Sequence, residues 1–454
     1  MTQATPPVFS VIIATYNWSS ALRLALRSVL NQTFSRFEVL VVGDGCTDNS
    51  AEVVASLGDP RLQWHNLPKN HGSQWAPNNH GLSLARGKYI AYLGHDDLWW
   101  PTHLARAHEA LDSGDADFAA AATLMYGPED SGIRAISGFF PNDRFSPRHF
   151  FVPSSMAHRL DIAQAVGGWR SPEEATVAVD VDFLRRCHEA GARVVATKDF
   201  TTFKFNAAWR RDAYLTKDPQ QQREFMAQAD QRGDAFRLGE LTRALEAASH
   251  DKLLKVDVAA DAKDSAAVSS AINHQFKGSR KTNRPQAPTI VQGRRRYPPS
   301  PAYAGFEWHG MEHDPKRGDF RWSGPCTRSH IVLPERIMAP TEIRLQLLHH
   351  ITDDVLHSLT LTANEVPIDM ALTPQDDGTL VLHGSINPDH LPEQGRDELR
   401  LALTVARNWR PIDLGLSNDR RWLGVAVGWT EVGPWPPAPS PAPTPKGLWW
   451  KLFH

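Results

Sequence analysis

Cysteine is scarce. The 454 residues hold three, Cys46, Cys187 and Cys326, far apart and without a CxxC pair. That argues against a disulfide scaffold or a thiolate zinc site and for a reducing compartment, so the expected location is cytoplasmic. Long hydrophobic runs are missing too. No stretch nears the roughly 20 apolar residues a membrane span needs. The opening MTQATPPVFS lacks the basic start and apolar core of a signal peptide. Nor is there an excess of one charge: 49 Lys and Arg stand against 51 Asp and Glu, a formal net charge of -2. No broad field steers the chain toward nucleic acid or an anionic membrane. What is present is a globular composition, 41% hydrophobic and 22% charged, over a length that suits two or three domains.

Residues 8–14 (VFSVIIA) and 37–42 (FEVLVV) are short apolar runs rich in β-branched residues. They suit strands of a parallel sheet covered on both faces. Leu22, Leu26, Val29 and Leu30 between them recur at helical spacing, with Ser19 or Ser20 as a cap. Asp48 and Asn49 are placed to cap a second helix. A strand near 62–65, a helix over 74–85, a strand at 89–93 and a helix opened by Pro101 follow. Strand alternating with helix predicts a doubly wound α/β sheet. A further α/β piece covers about 158–197, with a turn at Gly167-Gly168.

Residues 217–260 read as polar helix, and 261–300 as a linker whose Arg294-Arg295-Arg296 is solvated surface. From about 301, short alternating segments between Pro, Gly, Asn and Asp turns predict an all-β sandwich or jelly roll. The expected division is therefore 1–215, 216–300, 301–433 and a Pro-rich tail over 434–454. The tail ends in GLWWKLFH, which is suited to dock on a partner, to lie in a membrane interface, or to pack on its own protein. His309, Glu312 and His313 fit an H-x-x-E-H zinc pattern, but Gly310 and Pro315 oppose the helix that pattern needs. The aromatic stretch Trp308 to Trp322 reads as core or domain contact, with sugar stacking as the alternative.

An open α/β sheet binds ligands beyond the carboxyl ends of its strands. Thr15-Tyr16-Asn17 follows the first strand, Gly43-Asp44-Gly45 the second, and Gly94-His95-Asp96-Asp97 the strand near 90. Asp180 precedes an apolar helix. Polar or acidic groups at three strand ends exceed what turn propensity alone delivers. Asp44 can accept hydrogen bonds from a base or a ribose. Asp96 can hold a hard divalent cation that bridges phosphates. Asp180 can accept a hydroxyl proton as a general base.

The segments VFSVIIATYN, VLVVGDGCTDNS, NNHGLSLARGKYIAYLGHDDLWWP and GGWRSPEEATVAVDVDFLRRCHEAGARV resemble, in order and spacing, the inverting family 2 glycosyltransferases of the GT-A fold. The resemblance runs over about 8–205. It implies a Rossmann-like nucleotide-diphospho-sugar transferase domain. Thr15, Tyr16, Asn17 and Asp44 would bind the nucleotide. Asn79, Gly81 and Arg86 would line the donor site. Asp96, with Asp97 adjacent, would hold Mg2+ or Mn2+, and Asp180 would be the base. The donor would be a nucleotide sugar, a UDP-sugar favoured. The acceptor would be a glycan hydroxyl in cell-surface polysaccharide or O-antigen assembly, with no nucleic-acid partner. The tail would supply any peripheral contact with the inner membrane face.

Three positions depart from the family pattern. Gly43 and Gly94 stand where an acid is usual, and Val179 where a Glu is usual. They keep a degenerate carbohydrate-binding or scaffolding protein open as the alternative. A nucleotidyltransferase is the remoter one, since ATYNWSS lacks a Gly-rich, basic phosphate loop. Arg210 and Arg211 read equally as diphosphate contacts or as solvated loop.

Overall fold

The two apolar runs at the start of the chain lie side by side. In the computed structural model, residues 6–140, 145–147, 149, 151–210, 213–250, 252–255, 287–299, 307–392 and 398–434 are described. The linker core 256–286 and the tail 435–454 lie outside them. The chain divides into two units, Met1–Lys277 and Gly278–His454.

The elements of the first unit, in chain order, are β1 (Phe9–Thr15), α1 (Ser19–Leu30), β2 (Phe37–Gly43), α2 (Ser50–Ser56), β3 (Leu62–Asn66), α3 (Trp75–Leu84), β4 (Tyr89–Gly94), β5 (Asp97–Trp99) and α4 (His103–Asp112). Then come β6 (Phe118–Tyr126), β7 (Arg134–Ser137), β8 (Met156–Arg159), α5 (Leu160–Ala165), α6 (Val179–Glu189), β9 (Val194–Phe205), α7 (Ala213–Thr216), α8 (Gln220–Arg232), α9 (Asp234–Ser249) and β10 (Leu253–Lys255). Strands β3, β2, β1 and β4 are neighbours and all parallel. One face buries Val11, Ile13, Val39 and Val41 against Leu22, Leu26 and Val29 of α1. The other buries Ile12, Leu40, Ile90 and Tyr92 with Trp169, Phe183 and Leu184. Burial on both faces is why these strands read as unbroken apolar runs.

Beyond β4 the sheet is mixed rather than parallel. β8 runs antiparallel to both β4 and β6, β7 is antiparallel to β6, and β9 is parallel to β6. β10 extends the sheet from β7. Helix starts also differ from expectation. Trp18, not a serine, holds the N-cap position of α1, and α4 begins at His103 after Thr102. Asp48 does the capping instead. Its Oδ2 accepts from Ser19 N at 3.0 Å and its Oδ1 from Ser50 N at 3.2 Å, so one carboxylate serves α1 and α2.

The second unit holds β11 (Thr289–Val291), β12 (Arg294–Tyr297), β13 (Glu312–Asp314), β14 (Gly318–Trp322), β15 (Arg328–Leu333), β16 (Thr341–His350) and α10 (Asp353–His357). These are followed by β17 (Thr360–Ala363), β18 (Val366–Ile368), β19 (Met370–Pro374), β20 (Leu380–Ile386), β21 (Leu399–Thr404) and β22 (Val425–Pro434). One antiparallel sheet runs β11-β12-β22-β16-β20-β19, with β14 and β13 joined through β22. A second runs β15-β21-β17-β18. Leu345 and Val427 of the first share a core with Ile331, Leu361 and Leu401 of the second, which makes a β-sandwich.

One expectation fails in this unit. Arg294, Arg295 and Arg296 are not solvated linker but strand. They pair with Glu342, Glu335 and Glu431, all three buried. Glu312 and His313 lie on a strand, not a helix, and Glu312 bonds Arg421 at 2.6 Å. Trp308 is core, its Nε1 donating to His330 O at 2.9 Å.

Candidate active site

Thr15 ends β1 opposite Gly43 of β2, and Ala14 lies opposite Gly94 of β4. Asp44 and the His95-Asp96 turn therefore flank Thr15 at one edge, two strand spacings or about 10 Å apart. Asp44 is only 5% exposed. Its backbone N–H donates to Thr15 O at 2.8 Å. Its carboxylate accepts from His71 N at 2.9 Å, Gly72 N at 3.2 Å and His71 Nδ1 at 2.9 Å. Asn17 has φ 46°, a left-handed conformation that Asn tolerates better than most residues. It turns its Oδ1 onto Thr47 N (2.7 Å) and Asp48 N (3.2 Å). Asn17 thus clamps the loop after β2 onto the loop after β1. Tyr16 beside it is 46% exposed. The buried Thr15 hydroxyl has no hydrogen-bond partner among the described residues.

Asp96 is half-buried, and among the described residues nothing hydrogen-bonds its carboxylate. Its carbonyl accepts from Gln222 Nε2 at 3.1 Å. Arg210 is close enough to feel the Asp96 charge. Burial pushes its pKa down to about 10, and the Asp96 carboxylate is the largest charge pulling the other way. Its guanidinium donates to Asn206 O at 2.9 Å, to Gly127 O at 2.8 Å and to Gln221. Arg211 lies outside the described residues.

Asp180 stands in the first turn of α6, its Oδ1 accepting from Val181 N at 3.0 Å. Ala178, not Asp180, holds the N-cap position. The direction of α6 follows from the sheet. β9 starts level with the start of β6, Val194 opposite Phe118, and β6 is parallel to β4 through β8. The chain leaves α6 into that start. The helix N-terminus, with Asp180, therefore lies toward the carboxyl edge that carries Asp44 and Asp96.

Four predicted site residues are placed otherwise. Asp97 is fully buried in β5 opposite Lys204. It accepts from Lys204 Nζ at 3.0 Å, Phe205 N at 3.3 Å and the Ser154 hydroxyl. Burial pushes its pKa up, Lys204 pulls it down, and the Asp96 charge adds to the rise. With its oxygens committed inward, Asp97 is not a cation ligand. Arg86 sits at the opposite, amino-terminal end of the strands, where Nε meets Glu38 Oε2 at 2.8 Å and its N–H meets Ser10 Oγ at 3.1 Å. Asn79 is spent on the backbone of Trp169, at 2.8 Å in both directions. Gly81 lets α3 close on β1, for a Cβ there would stand 2.7 Å from Ile12. Arg86 thus lies away from the carboxyl edge, and Asn79 and Gly81 are committed to packing within the domain.

Residues 10–165 match the sequence family described as Glycosyl transferase family 2. An uncharacterized glycosyltransferase of Rickettsia felis is 33% identical over 126 residues, covering 27% of this chain and 19% of that protein. The succinoglycan biosynthesis protein ExoO of Rhizobium meliloti is 35% identical over 113 residues, 25% of this chain and 32% of that protein. The similarity to glycosyl transferase family 2 is confined to the N-terminal domain. It spans about a fifth to a third of the length of the first of these curated relatives. Among solved structures, S. aureus TarS 1–349 is 20% identical, with a TM-score of 0.38, over 44% of this chain and 61% of that one.

Two of the three positions that depart from the resembled pattern, Gly43 and Gly94, have no room for a side chain. A Cβ at Gly43 would lie 2.5 Å from Asn66 Oδ1 and 2.8 Å from Trp64 Cη2. A Cβ at Gly94 would lie 2.9 Å from Asp97 Oδ2 and 3.2 Å from Asp96 Oδ1. Sequence reasoning about the transferase domain missed His71, Ser154, Lys204, Gln222 and Glu38. Only Lys204 carried a local signal, a lone charge between Phe203 and Phe205 in a strand.

Proposed function

We propose that the chain transfers a sugar from a nucleoside-diphosphate donor to a hydroxyl of a glycan acceptor, with inversion. The observation that carries this is the half-buried Asp96 carboxylate, without a hydrogen-bond partner among the described residues, at the strand edge toward which Asp180 and Asp44 are also placed.

Among the described residues no three His, Cys, Asp or Glu side chains gather as a metal cage. The Asp96 carboxylate would hold a divalent ion of the Mg2+ or Mn2+ type, a hard cation that prefers oxygen ligands. Such an ion, when bound, neutralises charge on the departing diphosphate. The chain's own groups do the rest. Asp180 takes the proton of the acceptor hydroxyl as its oxygen bonds to the anomeric carbon. The bond from that carbon to the phosphate oxygen breaks, and the nucleoside diphosphate leaves with the electron pair. Thr15, Tyr16 and the loop held by Asp44 and Asn17 receive the nucleotide. UDP-sugars are the first donors to try, and cell-surface polysaccharide assembly is the setting that the succinoglycan relative supports. No described helix is long and apolar enough to cross a membrane.

The test is donor turnover with Mn2+ in wild type and Asp180→Asn. Turnover should fall at least about a hundredfold in the variant while donor affinity is kept. Unchanged turnover removes Asp180 as base; no turnover of any nucleotide sugar by wild type sinks the reading.

A further inference from the structure

The family match ends at residue 165, and the sequence marks the polar helices after 217 only as connection. Yet α8 is built into the edge that holds Asp96. Gln222, in its first turn, is 5% exposed, a rare burial for an amide, and donates Nε2 to the main-chain oxygen of Asp96 at 3.1 Å. Its neighbour Gln221 accepts from Arg210, the guanidinium that feels the Asp96 charge. The helix is anchored again beyond this turn. Phe225 and Met226 pack with Leu98, Trp100, Phe203 and Phe205 of β5, β9 and the segment between β5 and α4. Arg27 of α1 pairs with Asp230 at 2.5 Å.

We infer that Gln222 is a positioning residue of the transfer site: its amide fixes the His95-Asp96 turn so that the Asp96 carboxylate faces the donor edge. This rests on the reading of Asp96 as the cation-holding residue. The reason lies in the neighbours. The Asp96 side chain has no hydrogen bond of its own to orient it among the described residues. The next residue, Asp97, is pulled inward by Lys204. His95 Nδ1 meets Ala14 O at 3.2 Å and Gly94 N donates to the Ser154 hydroxyl at 3.0 Å before the turn, and the bond from Gln222 is the one that holds its Asp96 end.

The experiment titrates Mn2+ into the full chain with UDP present and reads free Mn2+ by electron paramagnetic resonance, beside thermal melts. Gln222→Met keeps the volume and removes the donor; Gln222→Glu keeps the length and sets a carboxylate against the carbonyl. Both should need about threefold or more Mn2+ for half-saturation, with melting points near wild type. Wild-type Mn2+ affinity in both variants overturns the inference. So does loss of a cooperative melt in both, which would make Gln222 a core residue. Absence of UDP-dependent Mn2+ binding in wild type instead strikes the reading of Asp96, before Gln222 is in question.

Discussion

Replacing Lys204 with Met asks how far the transferase domain depends on one buried ion pair. Lys204 Nζ lies 3.0 Å from Oδ2 of the fully buried Asp97. Met keeps most of the apolar stem and deletes the ammonium. The Ser154 hydroxyl and Phe205 N–H still reach the carboxylate, but its charge is left uncompensated. Breaking a buried pair from one side costs about 3–5 kcal/mol. Two surviving hydrogen bonds and a partly exposed Lys204 place this case near the lower end, about 3 kcal/mol. The pH dependence has a definite sign. Burial holds Asp97 above the ordinary carboxylate range and Lys204 opposes it, so its removal raises the folded pKa further. A carboxyl raised in the folded state gives its full stability below the unfolded pKa and loses it as pH climbs through the folded value. The deficit of the variant should be largest near pH 8 and shrink toward pH 5. Urea unfolding of the full chain at both pH values measures it. Lys204→Met with Asp97→Asn should recover at least half of the loss. A deficit below about 1 kcal/mol at pH 8, or an equal one at both pH values, refutes the reasoning.

Arg86→Met should leave donor affinity unchanged, as measured by calorimetry, because Arg86 lies at the far end of the strands. It should lower stability at neutral pH. Burial works to raise the Glu38 pKa, but bonds from Arg86 and Ser10 outweigh it and hold it below the ordinary range. That contribution is present above the unfolded carboxylate pKa and fades as pH falls, so the variant and wild type should converge in acid. Gly43→Ala should cost about 1–3 kcal/mol by overpacking against Asn66 and Trp64; a melt within error of wild type would show that the site relaxes.

Strands β1, β2 and β4 were legible because their apolar runs are continuous and each ends in polar residues. Strand β6 was not. FAAAATLMY is fully buried, but four of its nine residues are alanine, which carries little strand signal. At the candidate site, Asp44, Asp96 and Asp180 stood out in the sequence because each follows a strand or opens a helix. Asp97 was misread because its partner Lys204 is 107 residues away and only the β5–β9 register brings it near. Arg86 was misread for the same reason: Glu38 is 48 residues distant. The three arginines of β12 looked solvated because their glutamates come from other parts of the sandwich. A charge in sequence is silent about whether a distant counter-charge meets it.

Asp48 ties the first turn of α1 to the first turn of α2 through its two oxygens. Neither helix end can swing without dragging the other, and the loops that lead into them inherit that restraint. On the proposed function, a nucleotide reaching this rim would meet backbone already in place, and its affinity would go into contact rather than into ordering the chain.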